Sequence, residues 1–279
     1  MGREGNNFVA RIPYLAYNKA MLKATLHTHL QGDHDDYIGH TGFELLDYAK
    51  KLNFDVVAFS AHERVIITED LKQYARSLDI LLIPGIEINL GGHVLILNAH
   101  PETQYLKTLE DLRSYRLNHP EIFIIAAHPF FPQSSMCLQL NAHRYIDVFD
   151  GIEQSWFYTE WFNFNKKAES LAKQHNLPYI ATSDVHILEM LHLDYVFIDA
   201  EKSIEAVFEA MRSKRFYSIS YPKSLFQMIK IFAKMNLVNA KRYLPWSPPH
   251  FIFDHERISR HHQSQSQTKP KANYLSRGI

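Results

Sequence analysis

Cysteine is almost absent from this chain of 279 residues, which contains only Cys137. A single thiol excludes a disulfide scaffold and zinc sites built from four cysteines. No apolar run approaches the roughly 20 residues that a membrane-spanning helix needs. The N-terminal stretch lacks a clear apolar region, so the sequence predicts no signal peptide. These absences favour a cytoplasmic protein that buries a sizeable core.

Glycine and proline are also scarce, with 10 and 12 residues, whereas histidine occurs 17 times. The formal net charge is zero, but the charge is unevenly distributed. Residues 211–279 contain 13 Lys and Arg against only Asp254 and Glu256, a net charge of +11, which leaves −11 on residues 1–210. An acidic body with many imidazoles suits metal cations, and a basic C-terminal region suits an anionic partner.

The body alternates short apolar runs with amphipathic stretches. Phe54–Ser60 is typical of a strand buried on both faces, and Thr41–Leu52 places its apolar residues on one helical face. Gly91 and Gly92 predict a tight hairpin between two further strands. Repeated strand and helix units favour a parallel sheet or a barrel.

Polar side chains follow the predicted strands. The segments HTH, SAH, AAHP and SDVH each come directly after one. In α/β barrels the loops at the C-terminal strand ends hold the chemistry. His27 and His29, like Asp184 and His186, are two residues apart and therefore point to the same side of an extended chain. Imidazole with carboxylate is the donor set that zinc, manganese and iron favour, so the sequence predicts a metal site.

The order of these segments resembles the PHP superfamily, named for polymerase and histidinol phosphatase. HTH, SAH, PGIE, GGHV, AAHP and ATSDVH appear in the family's order over about residues 22–220. The resemblance implies a distorted (β/α)7 TIM-like barrel that holds two or three divalent ions. It assigns the ligand roles to these residues: His27, His29, His62, Glu87, His93, His128, Asp184 and His186.

A ninth ligand is expected in the loop Asp33–Asp36, where a family Ser-Asp-Gly loop is replaced by DHDD. Counting back from the following helix favours Asp35, and Asp33, His34 or Asp36 could serve instead. A second departure is Ala61, which stands where the family usually has an aspartate before His62. We interpret that change as the loss of a contact behind the ligand rather than of a ligand.

The resemblance implies hydrolysis of a phosphoester by a metal-activated hydroxide, with Glu87, Asp184 and His186 as catalytic residues and Mn, Zn or Fe as the ion. Arg64 is predicted to bind substrate phosphate. The expected substrate is a small phosphomonoester, a nucleotide or an oligonucleotide. The alternatives are histidinol phosphatase, an amidohydrolase, and a regulatory module that binds metal or nucleic acid without turnover.

The pattern changes after residue 220, so residues 1–220 are interpreted as the barrel and 221–253 as a basic helical extension. Residues 254–279 are polar and predicted to be a disordered tail. The helix Ser224–Tyr243 has three interpretations. Its apolar stripe, which consists of Leu225, Met228, Ile229, Phe232 and Met235, packs on the barrel, or its basic face contacts nucleic acid, or it contacts a membrane surface.

Overall fold

The computed structural model describes residues 21–132 and 135–243. The predicted tail, 254–279, lies outside the described residues, as does the end of the predicted extension. Within the described residues no helix is long and apolar enough to cross a membrane.

Nine strands of residues 21–132 and 135–243 form one mixed sheet that curls into a TIM-like barrel. Their order around the sheet is β7-β6-β5-β4-β3-β2-β1-β8-β9. The strands are β1 (Leu22–Thr25), β2 (Val56–Phe59), β3 (Leu81–Asn89), β4 (His93–Leu97), β5 (Phe123–Ala126), β6 (Gly151–Ser155), β7 (Tyr179–Thr182), β8 (Tyr195–Ile198) and β9 (Phe216–Ile219). Strands β1, β2 and β3 are parallel, as are β5, β6 and β7, whereas β4, β8 and β9 run antiparallel to their neighbours.

In the described part of the chain, seven α-helices pack around or under this sheet. They are α1 (Gly42–Lys51), α2 (Glu69–Ser77), α3 (Leu109–Asn118), α4 (Leu140–Arg144), α5 (Asn165–Gln174), α6 (Ile204–Arg212) and α7 (Leu225–Asn239). Several of these helices begin at a residue whose side chain caps the N-terminus. The side chains of Thr41, Thr108 and Ser224 each form a capping box at the start of α1, α3 and α7.

Side chains alternate between the two faces of the sheet, which gives the barrel separate inner and outer cores. Ala24, Val56 and Leu95 belong to the interior cluster, where Phe208 of α6 also packs. Val57, the neighbour of Val56, belongs instead to an outer cluster with α1 and α2. The fold class that the resemblance implied, a TIM-like barrel with a helical extension, is therefore confirmed.

The two ends of the sheet, β7 and β9, meet through one side chain. The hydroxyl of Ser218 accepts a hydrogen bond from the backbone N–H of Ala181, at 3.0 Å, and donates one to the carbonyl of Tyr179, at 3.1 Å. This hydroxyl stands where a backbone ladder would otherwise join the strands, so the barrel is closed by a side chain at this point.

Helix α7 packs on the barrel by a different stripe from the one expected. Met228 is buried, and Ile231, Met235 and Val238 pack against the outer core. The expected stripe also contained Leu225, Ile229 and Phe232, whose side chains are 67%, 58% and 48% exposed. Val238 and Asn239, at the end of the helix, lie against the loop that precedes α1.

Candidate metal centre

Eight predicted ligands converge at one end of the barrel. They are His27, His29, His62, Glu87, His93, His128, Asp184 and His186. Most follow the carboxyl ends of parallel strands, whereas His93 is the first residue of β4, which runs the other way and so starts at the same end. The described residues thus bring together side chains separated by up to 159 positions.

The extended chain beyond β1 pairs with the extended chain beyond β7. The N–H of His29 donates to the carbonyl of Val185, at 2.9 Å, and the N–H of Val185 donates to the carbonyl of His27, at 3.1 Å. This short bridge places the HTH and SDVH segments side by side. Asp184 adopts a positive φ of 48°, and His128 one of 27°. Such backbone strain in residues with side chains is typical of functional sites.

Glu87 lies at the middle of the cluster and is 1% exposed. Its Oε1 atom is 2.8 Å from Nδ1 of His93 and 3.0 Å from Nε2 of His128. Its Oε2 atom faces a separate set of imidazoles. The two carboxylate oxygens therefore serve two different halves of the site.

The Oε2 atom of Glu87 has three imidazole nitrogens around it and no aligned hydrogen bond. Nε2 of His27, His29 and His62 lie 3.1, 3.3 and 3.0 Å away. A buried carboxylate oxygen without a hydrogen bond is costly unless a cation compensates it. Its surroundings are those that a metal ion would satisfy.

Asp184 contacts two of the imidazoles that surround Oε2 of Glu87. Its Oδ1 atom is 3.0 Å from Nε2 of His29 and 3.4 Å from Nε2 of His27. Nδ1 of His186 donates to the carbonyl of Asp184, at 3.0 Å, which leaves Nε2 of His186 free to act as a ligand. The side chains of Asp184, His186 and His128 are 18%, 13% and 11% exposed, whereas the other ligands are at most 5% exposed. These three therefore mark the face that a substrate can reach.

The loop Asp33–Asp36 contains three carboxylates with distinct surroundings. Asp33 is buried, and its oxygens accept hydrogen bonds from Nδ1 of His29 and of His62, each at 2.9 Å. Asp35 is 48% exposed and pairs with His34, which is equally exposed. Asp36 turns its Oδ2 atom to Nε2 of His186, at 3.1 Å. The structure thus places Asp36, rather than the favoured Asp35, against the cluster.

The donor atoms form three overlapping groups in which all atoms lie within 4.8 Å of one another. These groups are His27, His29, Glu87 and Asp184; His62, Glu87 and His93; and His29, His62 and His186. Glu87 is shared by the first two groups, and His29 and His62 link the third group to them. A further group at the surface, His100, His119 and Glu121, belongs to none of these.

The charges of the cluster are strongly coupled. Burial alone would lower the pKa of His27, but Glu87, Asp184 and Glu153 raise it to about 9. Burial would raise the pKa of Glu87, but the surrounding imidazoles, His93 first, hold it well below its usual range. Without an ion, protons on the imidazoles balance the buried carboxylates. A bound metal would displace those protons, because it takes the neutral imidazole.

Three residues that hold the ligands were not predicted. Glu153 in β6 is fully buried, lies 3.5 Å from Nδ1 of His27, and accepts a hydrogen bond from the N–H of His128 at 2.8 Å. Buried His40 shares a hydrogen bond with the carbonyl of His29, at 2.9 Å, and burial lowers its pKa to about 4. Cys137, which the sequence left without a partner, has its Sγ atom 3.8 Å from Nδ1 of His128. The sequence signal that could have identified Glu153 is a glutamate inside the otherwise uncharged strand β6.

Arg64, the predicted phosphate ligand, lies two residues beyond His62 and is partly buried. Its role as a phosphate ligand stays a prediction.

Comparison with known proteins relates the chain to one family. The family model PHP_C, described as PHP-associated, matches residues 162–216. No curated protein sequence matches significantly.

Three solved structures share the fold. A two-domain protein from Bacteroides vulgatus containing a predicted PHP-like metal-dependent phosphoesterase is 19% identical, with a TM-score of 0.56 over 77% of this chain and 70% of that one. The lesion-specific endonuclease PfuEndoQ from Pyrococcus furiosus is 15% identical, with a TM-score of 0.51 over 69% of this chain and 56% of that one. An amidohydrolase from Chromobacterium violaceum is 15% identical, with a TM-score of 0.50 over 70% and 97%.

The family-model match covers β7, β8 and the segment that carries Asp184 and His186. Beyond residues 162–216 the likeness is one of fold, since the solved structures are at most 19% identical. Residues 162–216 thus match the PHP-associated family, and the chain shares the fold of a protein that contains a predicted PHP-like phosphoesterase.

Proposed function

We propose that this protein is a metal-dependent phosphoesterase that hydrolyses a small phosphomonoester, a nucleotide or an oligonucleotide. The observation that carries this proposal is the position of Glu87, whose two oxygens face separate sets of imidazoles. A carboxylate shared by two ion sites is suited to two-metal hydrolysis, in which both the attacking and the leaving oxygen need stabilising. Two solved structures of the same fold support phosphoester hydrolysis as the reaction class: one contains a predicted PHP-like metal-dependent phosphoesterase, and the other is a lesion-specific endonuclease.

The donor set fits divalent manganese, zinc or iron, since imidazole nitrogens and carboxylate oxygens are mixed. When bound, such ions supply Lewis acidity and an activated water as nucleophile. Two or three ions are expected, matching the three overlapping donor groups.

The chain's own residues orient the ligands. Asp33 accepts from Nδ1 of His29 and His62, which turns Nε2 of each ring towards Glu87. The carbonyl of Asp184 does the same for His186. Carboxylates and carbonyls behind metal-bound histidines fix the tautomer and raise the basicity of the ring.

The substrate is expected to enter over Asp184 and His186, the most exposed of the ligands. Asp184 touches the buried half-site through His27 and His29, so it is suited to position a group close to the ions. Arg64 is proposed to hold a phosphoryl oxygen, because a guanidinium can make two parallel hydrogen bonds to phosphate.

One surface feature favours nucleic acid among the proposed substrates. Trp161 is 95% exposed and Phe162 is 45% exposed on the loop after β6, close to helix α7 with its lysines. Exposed aromatic rings can stack on bases, and lysines can contact phosphates. The endonuclease neighbour acts on DNA lesions, which is consistent with this class of substrate.

The proposal is tested by measuring metal content and phosphate release together. His27→Ala and Asp184→Ala should lose bound metal and lower the hydrolysis of an aryl phosphate by at least about 100-fold. His175→Ala, which changes an exposed histidine at the end of α5, is the matched control and should keep both. Full hydrolysis by His27→Ala with unchanged metal content would contradict the site.

The same preparation distinguishes the alternatives. Release of p-nitroaniline from an anilide, without phosphate release, would favour an amidohydrolase. Tight metal binding without turnover of any phosphoester, including histidinol phosphate, nucleotides and oligonucleotides, would favour a regulatory module. Turnover of histidinol phosphate alone would assign the narrower activity.

A further inference from the structure

Helix α7 reaches the metal-binding loop through one side chain, Asn239. Its Oδ1 atom accepts a hydrogen bond from the N–H of Tyr37, at 2.9 Å. Its Nδ2 atom donates to Oδ1 of Asp36, at 2.5 Å. The amide of Asn239 is thus hydrogen-bonded to both the backbone N–H of Tyr37 and the carboxylate of Asp36 in the same loop.

The two contacts fix the orientation of this amide. A reversed Asn239 would place its NH₂ group against the N–H of Tyr37 and its carbonyl against the carboxylate of Asp36, and both contacts would be repulsive. With Oδ1 of Asp36 held in this way, its Oδ2 atom lies 3.1 Å from Nε2 of His186. When the His186 ring is neutral and its Nδ1 donates to this carbonyl, both facing atoms are acceptors, and a cation between them would satisfy both.

Helix α7 is fixed at both ends, so it can hold the loop in a defined position. At its start, the ammonium of Lys223 is 2.9 Å from the buried carboxylate of Asp194. At its end, Arg242 donates to the carbonyl of Asp35, at 2.6 Å, in the turn that follows the helix. The loop approaches closely: a Cβ atom at Gly39 would lie 3.3 Å from a methyl of Val238.

We propose that Asn239 is a positioning residue that holds Asp36, beside His186, as a ligand of a third divalent ion. The inference rests on the proposed function, because it assigns one residue outside the barrel to the metal centre. Helix α7 is then part of the site: it supplies no ligand, but it fixes the direction of one.

The role is specific to Asn239 within its helix. Asn236, one turn earlier, is exposed and its amide donates only to the carbonyl of Phe232 in the same helix, at 2.8 Å. Asn236→Ala therefore removes the same chemical group from the same helix without touching the loop.

The test counts ions and measures each affinity by calorimetry with Mn²⁺, using the full chain. The wild type and Asn236→Ala should bind three ions. Asn239→Ala should keep two ions at wild-type affinity and bind the third about 10- to 100-fold more weakly, the range seen when a partner behind a ligand is removed. Asn239→Asp can still accept from Tyr37 but repels Asp36, so it should also lose the third ion while retaining the loop contact.

Each outcome decides between the two proposals. Three ions of unchanged affinity in Asn239→Ala and Asn239→Asp would overturn the positioning role. A wild type that binds only two ions, with Asp36→Asn unchanged, would overturn the third site and leave two-metal hydrolysis standing. A wild type that binds none would overturn the proposed function itself. Thermal melting of each variant shows whether it is folded, and Asn239→Asp replaces Asn239→Ala if the latter is not.

Discussion

The Oδ2 atom of Asp33 lies 2.9 Å from Nδ1 of His29, and both side chains are completely buried. The same carboxylate also contacts Nδ1 of His62 and three backbone N–H groups of the site. With every lone pair in use, Asp33 supports the imidazoles and is not itself available as a ligand. Its pKa is held well below the usual range because these hydrogen bonds outweigh its burial.

Asp33→Asn should therefore lower metal affinity by about 10- to 100-fold. The amide keeps one acceptor but turns its NH₂ group towards N–H donors, so at least one histidine loses its orientation. Asp35→Asn, two residues away and exposed, is the matched control and should bind metal like the wild type. Metal titration of both variants gives the comparison, and the reverse order of effects would restore Asp35 as the ligand.

Replacement of Gly92 should disturb His93 through the backbone. Gly92 has a φ of 135°, and a Cβ atom there would lie 2.3 Å from the N atom of Leu138. Gly92→Ala should lower the free energy of unfolding by about 3 kcal/mol or more, since strain and a backbone clash combine.

Gly91→Ala is the control within the same turn. Its φ is 85°, and its Cβ would meet only the end of the Asn141 side chain, at 3.3 Å. We expect a loss of about 1 kcal/mol in chemical denaturation. Equal losses in the two variants would show that the contact with Leu138 does not limit the turn.

The pair Asp194 and Lys223 gives a prediction for stability. Both side chains are buried, and Lys223→Met leaves the carboxylate of Asp194 without its cation, which should cost about 3–5 kcal/mol. The double variant Asp194→Asn/Lys223→Met should recover most of that loss. A double variant less stable than Lys223→Met would contradict this account.

The loss in Lys223→Met should depend on pH. Burial already raises the pKa of Asp194 from 3.8 to about 6, and removing the cation raises it further. A carboxyl group whose pKa is raised on folding stabilises the fold below its unfolded value, and that contribution is lost as the pH rises through the folded value. Denaturation at pH 5 and pH 8 should therefore show the larger defect at pH 8.

Removing metal should destabilise the protein. An ion present at about 1,000 times its dissociation constant adds about 4 kcal/mol to the stability of the fold that binds it. A chelator should lower the melting temperature, and Mn²⁺ should restore it. Because the ligands must be deprotonated and the pKa of His27 is about 9 and that of His62 about 10 without an ion, the increase should be larger at pH 8.5 than at pH 6.

Glu87→Gln is the control for this measurement. Its amide cannot serve both halves of the site, so added Mn²⁺ should raise its melting temperature far less than that of the wild type. An equal increase in Glu87→Gln would show that the stabilising ions bind elsewhere.

Much of the centre could be predicted because ligands follow strands. His27, His62, His128 and Asp184 stand directly after apolar runs, and parallel strands end at one edge, so the pattern favours their convergence, while the resemblance to a known family supplied the full set of ligand roles. The position of His93 was harder to predict, because His93 begins a strand instead of following one. The Gly91-Gly92 turn indicated that this strand runs antiparallel to the one before it.

The residues behind the ligands could not be found in this way. Glu153 lies in β6 and contacts His27 across the barrel, which depends on register between strands that the sequence does not encode locally. Which of Asp33, Asp35 and Asp36 faces the imidazoles depends on the conformation of their loop. Asn239, about 200 residues later in the sequence, forms hydrogen bonds to that loop. Which residues of helix α7 face the barrel likewise differs from the stripe expected from the sequence.

The hydroxyl of Ser218 that joins β9 to β7 has a consequence for exchange with solvent. Local opening of the wall costs least where one side chain replaces a row of backbone bonds. The amide hydrogen of Ala181 should therefore exchange with deuterium sooner than those of the β3–β4 hairpin. Strand β7 leads directly to Asp184 and His186, so any ion bound through these two residues should be the first to dissociate when this part of the barrel opens.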